Sequence, residues 1–567
     1  MREFLSLLRN NNINLKLVEG ELSVKFPKNK TDKNILEEIK KNKAEIINYL
    51  SSLPKTNFSS ILPVAASANY SLSSAQRRLW ILSQFSGSNK AYNLSGSFDL
   101  EGSLQVEALE LSFCKLIERH EILRTVFKED SDGEIKQWII PFEELDFKIG
   151  YLDLRLDDFQ DQKTSELVQH EIEDPFDLVT GPLLRTRLLQ LSEDKYVFIL
   201  TMHHIISDGW SMEVIITELL SLYNAYSKGN DIPISALSIQ YKDYAAWHNE
   251  QLKGEQLQMH KSYWLDQFSG ELPVLNLPSQ KPRPFIKTYN GSIVSRVINK
   301  QLTQKLRTLV KEEEATLFMS LMALVKTLLY KYTEQQDMII GSPIAGREHS
   351  DLENQIGFYI NMLAIRSQLE SEDSYRTLLR KLKASTLSAY EHQVYPFDEL
   401  VNDLHITKDL SRHPLFDVVV VLQNIDISKK NITQAAQDLK ISPHNGGERV
   451  ISMYDLRFEF SEADNELNLI IDYNTDIYSK QNIEQLADHL EQLVMAISDN
   501  PDQSLTELDY LTKEEKDTLI HDFNHPVTNY PQDETIIKLF EEQVILHPDS
   551  IALVYEDKRM SYKELNE

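Results

Sequence analysis

A mixed α/β fold divided among several domains is predicted by three features of the sequence. Tyr196 to Met202 is an apolar, β-branched run of strand length. After a short loop, Val214, Ile215, Leu219, Leu222 and Tyr223 keep helical spacing through Ser211 to Tyr223. The alternation returns downstream, where Ser292 to Ile298 and Asp337 to Ile340 read as strands and Leu317 to Leu329 lies within a helix. The 567 residues exceed one ordinary core and suit about three or four domains.

Composition narrows the class. Hydrophobic residues make up 41% and charged residues 26%, which is ordinary for a globular protein. A net charge of −28 argues against a nucleic-acid or anionic-membrane partner for the bulk of the chain. The single cysteine, Cys114, rules out a disulfide framework and reads as a buried structural thiol, which points to a cytoplasmic setting. No apolar run approaches membrane-spanning length, and Asp417 to Leu422 is a short buried strand at most. Arg2, Glu3 and Arg9 around Phe4, Leu5, Leu7 and Leu8 describe an amphipathic helix, not a signal peptide.

In chain order, residues 1–52 read as a small separate module. Phe4 to Leu8 opens a helix. Asn14 to Leu17 and Leu22 to Phe26 alternate around Gly20 as a β-hairpin. Thr31 or Asp32 can cap a last helix carrying Ile35, Leu36, Ile39, Ile46, Ile47 and Leu50 on one face. Ten Lys and Arg against seven Asp and Glu through Leu50 give this module +3 within an acidic chain. The hairpin edge can accept a peptide strand. The same residues also describe an accessory domain with a solvated basic face.

Residues 53–69 are linker-like, and a capped helix follows Ser71 to Ser74. Arg119-His120-Glu121 reads most simply as a helix C-terminus on the surface. Tyr241, Tyr244 and Trp247, at helical spacing, read as packing. The Pro-rich stretch from Leu272 to Pro284 reads as a crossover between lobes. Gly341 to Arg347 is a Gly-rich turn without a Walker lysine, so a nucleotide site is not indicated. From about residue 500 a further linker leads to Thr535 to Glu567.

The stretch with the most chemistry is His203-His204-Ile205-Ile206-Ser207-Asp208-Gly209, at the end of the first strand and the start of the helix. His204 can accept a proton near neutrality, and Asp208 can fix the loop by pairing with a distant cation. Gly209 lets a backbone N–H approach a substrate as an oxyanion donor. The pattern equally accommodates a buried histidine beside a surface one, with Asp208 as a helix cap. No HExxH pair or nearby cysteine supports a metal site, so none is assigned.

HHIISDG resembles the HHxxxDG signature of nonribosomal peptide synthetase condensation domains, relatives of chloramphenicol acetyltransferase. The family's other motifs follow in order: SSAQRRLW, RHEILRTVF, YKDYAAW, IGSPIAGR, IGFYINM and HQVYPFDEL with SRHPLF. Met362 stands where the family usually has Thr. The resemblance implies two chloramphenicol-acetyltransferase-like lobes, residues 70–250 and 251–500, in a V-shaped pseudodimer with the histidine loop at a central tunnel. It implies peptide-bond formation between thioesters carried on 4'-phosphopantetheine arms of carrier proteins, with no cofactor bound by the domain itself. His204 is expected to act on the attacking amine, His203 to support it, and Gly209 to face the oxyanion. Arg347 is expected to pair with Asp208, while Arg119 and Arg124 tie the fold together near the site. Tyr359, Asn361 and Asn424 are expected to line the channel.

Residues 1–52 are similar to TubC-type docking domains, an αββα module that captures the C-terminal tail of an upstream synthetase. Lys16, Lys25 and Lys28 are the expected contacts to an acidic tail. After a linker at 501–534, residues 535–567 resemble the opening of an adenylation domain, implying downstream adenylation and carrier domains in a longer chain. An epimerization domain and a catalytically silent scaffold are the alternatives.

Overall fold

The structure is a computed structural model of the chain. It describes residues 14–18, 21–25, 39, 43, 60–84, 89–230, 236–406, 409–423, 439–444, 451–524 and 534–567. The expected hairpin forms: β1 (Asn14–Val18) pairs antiparallel with β2 (Glu21–Lys25), Lys16 opposite Ser23 and Lys25 opposite Asn14. Of the last helix of this module, Ile39 and Lys43 are helical; the helix expected from Phe4, and Lys28, lie outside the described residues.

Two α/β lobes follow, each with its own buried apolar cluster. The first is built on β4 (Asn93–Gly102), β7 (Gly150–Asp153), β8 (Leu184–Gln190) and β9 (Lys195–His203). Strand β9 lies between β4 and β8, antiparallel to both. Its near-continuous apolar run has a simple cause: both faces are covered. Tyr196, Phe198, Leu200 and Met202 enter the main core, while Val197 and Ile199 pack with Val168 on the other side. Helices α2 (Val106–Arg119) and α4 (Gly209–Tyr226) cover the main-core side. Cys114 is half-buried, at the edge of the α2 stripe formed by Ala108, Leu109, Phe113, Leu116 and Ile117.

The second lobe has a six-stranded sheet in the order β10 (Gly291–Ile298), β16 (Glu466–Asn474), β15 (Leu456–Ala463), β13 (Val418–Gln423), β11 (Asp337–Ile344), β12 (Asn361–Gln368). Helix α8 (Leu317–Thr333) is its central helix; every residue from Met319 to Tyr330 is buried, which explains apolar character all round. Among the described residues no helix is long and apolar enough to cross a membrane.

The division at residue 250 has exceptions. Strand β14 (Leu439–Pro443) crosses back and pairs antiparallel with β4, extending the first lobe's sheet to five strands. Leu352, Ile356 and Tyr359 also pack in the first lobe's core. Leu439 is buried there, so apolar burial draws both segments across. The turn before that crossing needs glycine: Gly346 has φ +62°, and a Cβ there would lie 2.0 Å from the Tyr359 carbonyl oxygen.

Candidate active site

Strand β9 delivers His203 to a buried position, and a 3-10 turn over His204–Ile206 follows. His203 Nδ1 accepts the Ile205 N–H at 3.1 Å, so its proton sits on Nε2 and is donated to Asn89 Oδ1 at 3.0 Å. Asn89 in turn donates to the Phe176 carbonyl at 2.5 Å. Burial, reinforced by His204, pushes His203 down to about 3. It is a neutral residue with both nitrogens occupied, which suits support of the loop.

His204 is arranged the other way round. Its Nδ1–H donates to the Ser207 carbonyl at 2.9 Å, and Nε2 has no partner among the described residues. The Phe358 ring stands edge-on at 5.5 Å between centroids. Burial lowers the pKa of His204, Arg457 adds to this, and the Ser207 carbonyl and Asp208 oppose it. The result is a neutral imidazole with a bare Nε2 lone pair.

Asp208 is the N-cap of α4, accepting the Ser211 N–H at 2.7 Å. The same Oδ1 accepts Ser211 Oγ at 2.7 Å and Arg347 Nη2 at 3.0 Å, while Oδ2 accepts the Tyr359 N–H at 3.1 Å. Neither oxygen is left for His204. The ion-paired side chains are 1% and 2% exposed. Arg347 Nη1 donates to the carbonyls of Leu352 at 2.5 Å and Gln355 at 2.7 Å, and the guanidinium lies 4.1 Å from the centre of the Tyr359 ring. The expected pair therefore forms, within a larger clamp between the lobes.

Ser211 is a part of this clamp that the sequence reading did not single out. Its Oγ contacts Asp208, Arg347 and both backbone groups of Gly357. Its place three residues after a capping Asp was the available signal. Gln76 was likewise missed; from the helix α1 (Ser74–Ser83) it donates to the Ile205 carbonyl at 3.3 Å.

At the start of α4 the N–H groups of Gly209 and Trp210 have no acceptor among the described residues. A Cβ built on Gly209 meets no atom within 4 Å. Glycine here satisfies no packing demand of the protein. A side chain here would enter space that no neighbouring side chain fills.

Other expected site residues have different roles. Arg119 pairs with Glu218 of α4 at 3.3 Å, and the adjacent His120 is buried against the same carboxylate at 2.9 Å. The charge run does mark the C-terminus of α2, but as an internal clamp rather than on the surface. Arg124 donates to the Ile140 carbonyl at 2.6 Å. Tyr359 is buried against Tyr241 and Tyr244, and its neighbour Phe358 stands beside His204. Asn361 is a backbone clamp, donating to Gln393 and Tyr395 carbonyls and accepting the N–H groups of Met362 and Phe397. Asn424 lies outside the described residues. Among the described residues no group of three or more potential metal ligands is gathered.

Two α/β lobes holding one histidine loop between them have relatives. The condensation domain family matches residues 66–520, and the TubC N-terminal docking domain matches residues 1–52. The chain is 40% identical over 523 residues to gramicidin S synthase 2 of Brevibacillus brevis, covering 92% of this chain and 11% of that protein. It is 39% identical over 523 residues to tyrocidine synthase 3 of Brevibacillus parabrevis, covering 92% and 8%. It thus spans about a tenth of the length of these curated relatives. A holo four-domain nonribosomal peptide synthetase bound to AMP and glycine superposes with TM-score 0.74 at 22% identity, covering 90% of this chain and 39% of that one. The X-domain from teicoplanin biosynthesis superposes with TM-score 0.72 at 24% identity, covering 80% and 100%. These structures share the fold, the pseudodimer of two chloramphenicol-acetyltransferase-like lobes. The chain belongs to the condensation-domain family.

Gly209→Ala is expected to fold with an unchanged melting temperature, because the methyl meets no protein atom. It is also expected to lower turnover about ten-fold or more by filling the space before the amides. A stable variant with full turnover would show that this space is not used.

Proposed function

We propose that the chain forms a peptide bond between a donor acyl or peptidyl thioester and an acceptor aminoacyl thioester. Both are presented on phosphopantetheine arms of carrier domains. The observation that carries this reading is His204: Nδ1 is tied to the Ser207 carbonyl, and Nε2 has no partner among the described residues.

The acceptor amine attacks the donor thioester carbonyl, and Nε2 of His204 accepts the hydrogen bond of that amine. A C–N bond forms and the C–S bond breaks. The amine proton leaves through the imidazole to the departing thiolate of the donor arm. The N–H of Gly209 favours the oxyanion as it develops. Asp208 and Arg347 hold the loop, and alignment of two tethered substrates supplies much of the acceleration.

The histidine arrangement favours an acting site over a silent scaffold. The docking match at residues 1–52 supports capture of the C-terminal tail of an upstream synthetase by the hairpin, with Lys16, Lys25 and Lys28 as contacts to its acidic groups. Adenylation and carrier domains are the partners that this role implies downstream, and a cytoplasmic setting agrees with it.

His204→Ala is expected to lower transfer between cognate loaded carriers by about 10²–10⁴-fold while leaving the melting temperature in place. Intact-protein mass spectrometry of the acceptor carrier reads the transfer, and unaltered transfer would overturn the role. The pKa of His204 lies below 6.5, so the neutral imidazole persists as pH falls and the acid limb of the rate profile should have its midpoint below 6.5. A midpoint above 7 would contradict this arrangement. For docking, a cognate upstream C-terminal peptide should shift the amide resonances of residues 14–18 and 21–25; unmoved resonances would remove the hairpin as the receptor.

A further inference from the structure

A second polar cluster lies beside the histidine pair, and the mechanism above does not use it. Lys287 enters from the segment joining the lobes, its backbone N–H bonded to the Leu410 carbonyl at 2.8 Å. Its Nζ lies 5.6 Å from the ring centres of both Tyr289 and Tyr454. Among the described residues no carboxylate, carbonyl or hydroxyl oxygen is within hydrogen-bonding distance of that ammonium. Burial pushes it down to about 8, partly offset by Asp455 and Asp417. Those two carboxylates are already committed, to Arg283 and Arg412 respectively.

The surrounding groups come from both lobes. Arg78 pairs with Asp398 at 3.2 Å and donates to His413 Nε2 at 2.8 Å. His413 donates its Nδ1 proton to the Pro414 carbonyl at 2.9 Å, and its ring lies 5.1 Å from that of Tyr454. The hydroxyls of Tyr92 and Tyr289 have no hydrogen-bond partner among the described residues, and that of Tyr454 has only the Met362 sulfur at 3.9 Å. Tyr92 places this cluster next to the catalytic loop, its ring 6.4 Å from that of His203.

The cluster has a surplus of donors. The ammonium and three phenols lie among three carboxylates, each already held by an arginine: Asp398 by Arg78, Asp455 by Arg283 and Asp417 by Arg412. A desolvated ammonium between two ring faces gains from them, yet still lacks an oxygen acceptor. Its complement is an anion small enough to enter between the lobes. The phosphate of a carrier arm sits at the far end of the arm from the reacting thioester, so a carboxylate on the substrate itself fits this position.

We propose that Lys287, with the hydroxyls of Tyr92, Tyr289 and Tyr454, forms a side-chain subsite that receives a carboxylate of one of the two substrates joined at His204. This inference rests on the condensation reading. The carboxylate belongs either to the donor or to the acceptor, and the two sources are separable by experiment.

The test is calorimetry on the whole chain with pantetheine conjugates in which an amide replaces the thioester. N-acetyl-glutamyl and N-acetyl-glutaminyl conjugates represent donors; the free-amine pair represents acceptors. In one of the two arms the glutamyl conjugate should bind at least about ten-fold tighter than the glutaminyl one. Lys287→Met should bring that ratio close to one, and Lys287→Arg should keep it. Equal affinities in both arms of the unaltered chain would overturn the subsite, with no variant needing to fold. So would a ratio that survives Lys287→Met. Because no turnover is read, an inactive chain that keeps the ratio would count against the condensation reading alone.

Discussion

The buried pair between Asp208 and Arg347 is the constraint on which the rest of the site depends. It joins residues 139 apart in sequence, one on the histidine loop and the other on the second lobe. Burying two charges is costly, and the cost is recovered only when every remaining donor and acceptor is satisfied. Here Asp208 collects donors from Ser211, Arg347 and Tyr359, while Arg347 also holds the Leu352 and Gln355 carbonyls and leaves only its Nε–H without an acceptor among the described residues. A loop held in this way has little freedom to move relative to the facing lobe.

That fixed loop explains why two adjacent histidines behave differently. The backbone N–H of Ile205 makes His203 Nδ1 an acceptor, whereas the carbonyl of Ser207 makes His204 Nδ1 a donor. Opposite tautomers follow from the hydrogen-bond partners alone. One histidine is consumed by the structure, and the other presents a lone pair. The same loop leaves the first amides of α4 without an acceptor among the described residues.

Much of this was legible in the sequence because it is local. The apolar run of β9 and the helical spacing after it were plain, and Asp208 stood where a helix cap belongs. Helix α4 begins at Gly209, ahead of the expected Ser211, because that cap starts it. What could not be read depends on distant backbone. Phe358 and Tyr359 are neighbours of similar chemistry, and nothing local says which faces the histidine. Asn361 has the polarity of a channel residue but spends it on carbonyls and N–H groups near residues 393–397. The return of β14 to the first lobe's sheet is a tertiary choice. The identity of Arg347 as the partner of Asp208 came from the resemblance, not from spacing.

The most direct test of the account is a double-mutant cycle at the pair, read as kcat/KM for condensation between loaded carriers. Asp208→Asn and Arg347→Met should each lower kcat/KM by about 10²-fold or more, since each leaves the other group unpaired in the interior. Together they should cost no more than the worse single change, because the two residues act as one unit. Losses that multiply would contradict the claim that this pair holds the histidine loop in place.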